Sequence, residues 1–124
     1  MYSGRRILVV EDEPLIAMLV SDWLTELNCE VAGSANSMAA AVQMVESVAL
    51  DAALLDVNLG SDNSFALADT LVGAGVPIAF ITGRDSESLP ERLRSAPVLC
   101  KPFDFAAIEQ LLGRLFTADD QPVG

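Results

Sequence analysis

Five short apolar runs punctuate this chain, and longer stretches with three- and four-residue apolar spacing separate them. The runs are Arg6–Val10, Glu30–Ser34, Ala52–Asp56, Ile78–Thr82 and Val98–Cys100. They are rich in Val, Ile and Leu and show little polar alternation, the pattern of strands covered on both faces. In the first intervening stretch Ile16, Leu19, Val20, Trp23, Leu24 and Leu27 share one helical face, with Pro14 suited to the first turn. Trp23 is read with that stripe as core. Further helices are predicted over about 38–48 and 64–72, the latter stopped by Gly73 and Gly75, and over 105–116.

Strand–helix alternation with crossovers of this length predicts an α/β fold, a parallel sheet with helices on both sides. The weak element is the fourth helix. "GRDSESLPERLRSAP" is polar and carries Pro90 in its middle, and proline removes a backbone donor and clashes with the preceding turn. That helix is expected to be short or broken. The end, "TADDQPVG", reads as disordered, which gives one folded unit over 1–118 and a tail over 119–124.

Composition narrows the function. A chain of 124 residues that is 52% hydrophobic suits one domain with a core. Eighteen acidic against seven basic residues give a formal charge of −11, which repels nucleic acid and anionic membranes and leaves room for basic proteins and divalent cations. The apolar run Ile7–Val10 is too short for a signal peptide and runs into acids, and no stretch approaches membrane-spanning length. Cys29 and Cys100 lack metal or redox spacing and read as reduced, small buried hydrophobes of a cytoplasmic protein. There is no histidine, so neither a Ser-His-Asp system nor a His-ligated zinc site can be assembled.

The candidate chemistry lies at the strand ends. The first strand runs into Glu11-Asp12, the third closes on Asp56, the fourth on Thr82, and the fifth leads into Lys101-Pro102. In a parallel sheet these carboxyl ends share one edge, where sites form. Three acids meeting there repel at about 4 kcal/mol per pair at 4 Å and an effective dielectric near 20. A cation offsets that cost. With oxygen ligands alone the fitting ion is Mg²⁺ or Mn²⁺, held by two carboxylates and a backbone carbonyl. A carboxylate beside such an ion can act as nucleophile and form an acyl phosphate, with an ammonium and a hydroxyl on the phosphoryl oxygens. Asp56 is the expected acceptor, with Lys101 and Thr82 as those groups.

The ordered set Glu11-Asp12, Asp56, Thr82 and Lys101-Pro102 resembles the signature of response-regulator receiver domains over nearly the whole chain. The resemblance implies a flavodoxin-like, doubly wound (βα)5 sandwich whose five-stranded parallel sheet has order 2-1-3-4-5, flanked by five helices. It implies phosphorylation of Asp56 by a sensor histidine kinase or histidine phosphotransfer protein, the partner supplying the imidazole that this chain lacks. It also implies Mg²⁺ on Asp12, Asp56 and the Asn58 backbone carbonyl, with Glu11 acting through water, Lys101 on the phosphoryl group and Thr82 as switch hydroxyl.

Two positions depart from or refine the pattern. Receivers usually carry Tyr or Phe three residues before the lysine, and here that residue is Val98. "FITGR" over 80–84, with Phe103 after Lys-Pro, resembles the Phe-Ala-Thr-Gly-Tyr subgroup of stand-alone receivers. Signalling is therefore expected to run through loop 83–97 rather than through an aromatic flip. The expectation is a monomeric single-domain regulator that signals by protein contact or serves as a phosphate shuttle or sink. Two alternatives are weighed against it. A haloacid-dehalogenase-type phosphohydrolase normally needs a second Asp two residues after the nucleophile, where Asn58 stands. A decayed receiver used for docking would not need Asp12, Asp56 and Lys101.

Overall fold

The computed structural model of the chain describes residues 3–60, 62–83 and 89–120, with backbone alone for 117–120. Five strands, β1 (Arg6–Val10), β2 (Glu30–Ala35), β3 (Ala52–Asp56), β4 (Ile78–Thr82) and β5 (Val98–Cys100), form one parallel sheet of order β2-β1-β3-β4-β5. The four α-helices among the described residues are α1 (Pro14–Glu26), α2 (Met38–Ser47), α3 (Phe65–Gly73) and α4 (Phe105–Asp120). This is the flavodoxin-like order the sequence implied. Strand order reverses between β1 and β3, which opens a crevice at their carboxyl ends.

Because successive strand side chains point to opposite faces, each strand feeds two cores. Ile7, Val9, Leu54, Ala79 and Ile81 pack with Val20, Leu24, Ile108 and Leu112 from α1 and α4. Leu8, Val10, Leu55, Ile78 and Phe80 pack with Ala41, Leu67 and Leu71 from α2 and α3. The all-buried central strands β3 and β4 thus explain the unbroken apolar runs. Trp23 packs partly buried against the first of these cores.

The helix starts follow local chemistry. Pro14 opens α1, Ser37 Oγ accepts the Ala40 N–H at 3.2 Å to cap α2, and Asp104 Oδ1 accepts the Ala107 N–H at 3.0 Å at the start of α4. Between β4 and β5 the expected fourth helix is reduced, among the described residues, to a 3₁₀ turn over Glu91–Leu93 directly after Pro90. Buried Leu89 and Leu93 tie this segment to the α2/α3 core. Residues 84–88 of the expected signalling loop lie outside the described residues.

Two expectations need correction. The backbone of Thr117–Asp120, read as the start of a disordered tail, continues α4, since no glycine or proline follows Phe116 before Gln121. Residues 121–124 lie outside the described residues. Cys29 is buried as expected, but Cys100 is exposed, because it ends the edge strand β5. No helix among the described residues is long and apolar enough to cross a membrane.

Candidate acidic metal and phosphoacceptor site

The β1 ladder continues one residue past the strand, with the Glu11 N–H donating to the Ala35 carbonyl at 2.9 Å. That fixes Glu11 at the crevice with its side chain fully buried, while Asp12 is half-buried and Glu13 exposed. Next to it β3 delivers Asp56, which is 5% exposed. Glu11, Asp12 and Asp56 each offer a carboxylate oxygen, all within 4.8 Å of one another. The three acids that the strand-end argument brought together are therefore neighbours.

Lys101 follows β5, its N–H donating to the Thr82 carbonyl at 2.8 Å, and its peptide bond to Pro102 is cis. Its Nζ lies 3.2 Å from Glu11 Oε1, 3.4 Å from Asp56 Oδ2 and 3.3 Å from Glu13 Oε1. Glu11 Oε1 accepts no hydrogen bond, whereas Oε2 accepts one from the Glu13 N–H at 3.0 Å and one from Lys101 Nζ at 3.4 Å. Burial, and then the hydrogen bond and negative charge of Asp56, push the Glu11 carboxyl up to about 7, against the opposing pull of the Glu13 N–H and of Lys101. For Lys101 burial opposes the charged form, but the combined attraction of Asp56, Glu11 and Glu13 outweighs it and holds the ammonium above its ordinary range. Among the described residues one ammonium faces three acids, which leaves an excess of negative charge among those groups.

After Asp56 the chain folds into a short hairpin, Asn58–Leu59 against Asp62–Asn63, that no sequence signal had suggested. The Asn58 N–H donates to Asp56 Oδ1 at 3.3 Å, and the Gly60 N–H donates to Asp12 Oδ2 at 3.0 Å. The Ser64 N–H bonds to the Val57 carbonyl at 3.0 Å, and antiparallel pairs alternate between bonded and non-bonded. The Asn58–Asn63 pair is thus a non-bonded one, which leaves the Asn58 carbonyl uncommitted to the ladder.

Thr82 closes β4, buried and in register with Cys100, so it shares the carboxyl edge. Val98 is half-buried and opposite Phe80. The aromatics nearest Lys101 in the chain are instead Phe103 and Phe105, both edge-on to Trp23 with centroids 6.2 and 6.4 Å away. A cavity of about 450 Å³ between α1 and the loop after β5 is lined by Ile16, Leu19, Trp23, Lys101 and Phe103. Sequence reasoning missed Glu13, a third acid on Lys101, and the Gly60 N–H on Asp12. Glu13 had a signal, since it continues the Glu11-Asp12 run, but a backbone donor from a hairpin turn had none.

The donor set is all oxygen and acidic, without imidazole or thiolate, and so fits a hard divalent cation such as Mg²⁺. The sequence profile of the response regulator receiver domain matches residues 7–113. Transcriptional regulatory protein PdtaR of Mycobacterium tuberculosis is 31% identical over 118 residues, covering 89% of this chain and 58% of that protein. Phyllosphere-induced regulator PhyR of Methylorubrum extorquens is 35% identical over 112 residues, covering 87% of this chain and 42% of that one. This chain therefore spans only about half the length of these curated relatives. The solution structure of SdrG from Sphingomonas melonis Fr1 is 40% identical and superposes with a TM-score of 0.82, over 94% of this chain and 99% of that one. With the profile spanning most of the chain, the sheet order matching and the acids gathered at the switch point, the chain belongs to the response regulator receiver domain family.

Proposed function

We propose that the chain accepts a phosphoryl group on Asp56 from a phosphohistidine of a partner kinase or phosphotransfer protein, in the cytoplasm and with the help of Mg²⁺. One observation carries this reading. Among the described residues three carboxylates sit within 4.8 Å of one another with one ammonium against them, an arrangement that is costly unless a cation and an incoming phosphoryl group use it.

Asp12, Asp56 and the Asn58 carbonyl would hold the ion, with Glu11 beside them acting through water. Bound there, Mg²⁺ supplies charge neutralisation for phosphoryl oxygens. An Asp56 oxygen attacks phosphorus, the P–O bond forms as the P–N bond breaks, and the partner's imidazole leaves with a proton. Lys101, already poised at 3.4 Å, can follow the charge onto the phosphoryl group, and Thr82 can donate its hydroxyl.

The donor must dock on the rim of this crevice. Leu15, Met18 and Leu19 of α1 are three of the five exposed large hydrophobics among the described residues, and they rise directly after the acids. They suit an apolar partner surface. Output would pass by protein contact through the Glu91–Leu93 segment, β5 and α4, with loop 83–97 reordering, or the chain would itself act as a phosphate shuttle or sink. The phosphohydrolase alternative loses support because Asn58, exposed and without an acidic group, stands where its general acid would be needed.

The test is incubation with acetyl phosphate or a phosphohistidine donor, with Mg²⁺ and with a chelator. One Mg²⁺-dependent phosphoryl group per chain, mapped to Asp56 and lost in Asp56→Asn, is the expected result. Label retained in Asp56→Asn, or steady turnover of small phosphate esters, overturns it.

A further inference from the structure

We propose that Gly60 is a positioning residue for the divalent ion, its backbone N–H orienting Asp12 from the tip of the 58–63 hairpin. This rests on the reading that the acid cluster holds Mg²⁺.

The argument comes from accounting for the donors on each acid. Glu11 is met by Lys101 and by the Glu13 N–H, and Asp56 by Lys101 and by the Asn58 N–H. The Asp12 side chain is beyond the contacts of Lys101, and the Gly60 N–H, 48 residues away, is the donor on its Oδ2. A side chain that is only half-buried, with no other donor on it among the described residues, is thereby held in one orientation. A carboxylate offers acceptor directions on both oxygens, so this bond leaves Asp12 Oδ1 for a metal.

The hairpin's backbone is shaped for this contact. Gly60 has φ +62°, the left-handed region that a two-residue hairpin turn demands and that glycine enters without steric cost. The Ser64–Val57 bond and the Asn58–Asn63 pairing anchor the other end of the hairpin to β3. Asp12, just past β1, and Asp56, at the end of β3, are thus tied to one loop, through Gly60 and Asn58 respectively. Metal binding at the two acids and the position of the hairpin are then coupled, and by linkage each stabilises the other.

An added Cβ at Gly60 would meet nothing within 4 Å, so a substitution there acts through the backbone and not through a clash. The decisive variant is an amide-to-ester change at residue 60, made by ligation of the full chain, which replaces the N–H by an ester oxygen, keeps every side chain and weakens the Leu59 carbonyl as an acceptor. Mg²⁺ titration by calorimetry should show affinity reduced about tenfold. Gly60→Asn, which keeps the N–H and tolerates the left-handed region, should bind within about twofold of the unaltered chain. In the metal-free chain, Asp12→Ala should move the residue-60 amide proton resonance upfield and speed its exchange. Unchanged Mg²⁺ affinity in the ester variant, or an unmoved residue-60 amide in Asp12→Ala, overturns the inference while leaving the metal site standing. Absence of Mg²⁺ binding by the unaltered chain overturns the metal site itself and this role with it.

Discussion

Lys101 Nζ lies 3.2 Å from Glu11 Oε1 although 90 residues separate the two. Glu11 is wholly inside the protein and Lys101 nearly so, with side-chain exposures of 0% and 17%. The pair links the ends of β1 and β5, and among the described residues Lys101 is the counter-charge to the acids. In Lys101→Ala the metal-free protein should lose roughly 1–3 kcal/mol of stability, the scale of a charged hydrogen bond removed from a buried partner. Saturating Mg²⁺ should restore much of that loss, and Mg²⁺ should still bind. Urea unfolding in chelator and in Mg²⁺ measures both, and an equal loss in the two conditions would remove Lys101 from the site's charge balance.

The titration of Glu11 sets a second expectation, for the metal-free chain. Its carboxyl is pushed to about 7 in the folded protein, first by burial and then by Asp56, and returns to about 4.5 when unfolded. The folded state therefore holds the extra proton between those values. Its contribution to stability is fully present below about pH 4.5 and is lost as pH rises through about 7. Urea midpoints in chelator should fall across that window, and Glu11→Gln should flatten the fall. A parent-like slope in Glu11→Gln would assign the drop to the general charge of −11 instead.

The proposed docking ridge on α1 would separate donor recognition from chemistry. Met18 is 57% exposed and makes no part of the acid cluster. Met18→Glu should slow transfer from a histidine-phosphorylated partner by about tenfold or more, the cost of losing an apolar anchor. Labelling by acetyl phosphate, which needs no docking, should be unchanged. Equal slowing with both donors would point to damage at the site.

Trp23, the only tryptophan, reports on the loop that carries Lys101. Its ring packs edge-on to Phe103 and both line the cavity beside Lys101. Phe103→Ala should cost roughly 1–2 kcal/mol and shift Trp23 emission to the red as water enters. In the unaltered chain, beryllofluoride with Mg²⁺ should change that emission if Lys101 moves. A silent Trp23 in the presence of bound beryllofluoride would show that the loop stays in place.

The central strands β1, β3 and β4 were legible because each is an apolar run buried between two helix layers, and for that geometry composition is enough. Four of the five match residue for residue, and β2 runs one residue further, to Ala35. The fourth crossover was legible for a different reason. Pro90 and a polar stretch cannot sustain a helix, and a 3₁₀ turn stands there. What could not be read was any contact whose donor is a backbone N–H. Gly60 on Asp12 and Asn58 on Asp56 depend on how a six-residue hairpin folds back over the crevice. Nothing in the spacing of those residues specifies where their amides point.

By itself, then, the sequence determined which groups reach the carboxyl edge, since a strand's last residue stays there whatever the loops do. It also made a hard cation the expected ligand, since the chain puts acids and no imidazole at that edge. Only the tertiary structure decided how the charges pair, with Lys101 on Glu11, Glu13 and Asp56 and the hairpin amide on Asp12. The reason is physical: hydrophobic periodicity fixes elements through burial, which has no direction, whereas hydrogen bonds and ion pairs are set over a few ångströms by loops that the pattern leaves free.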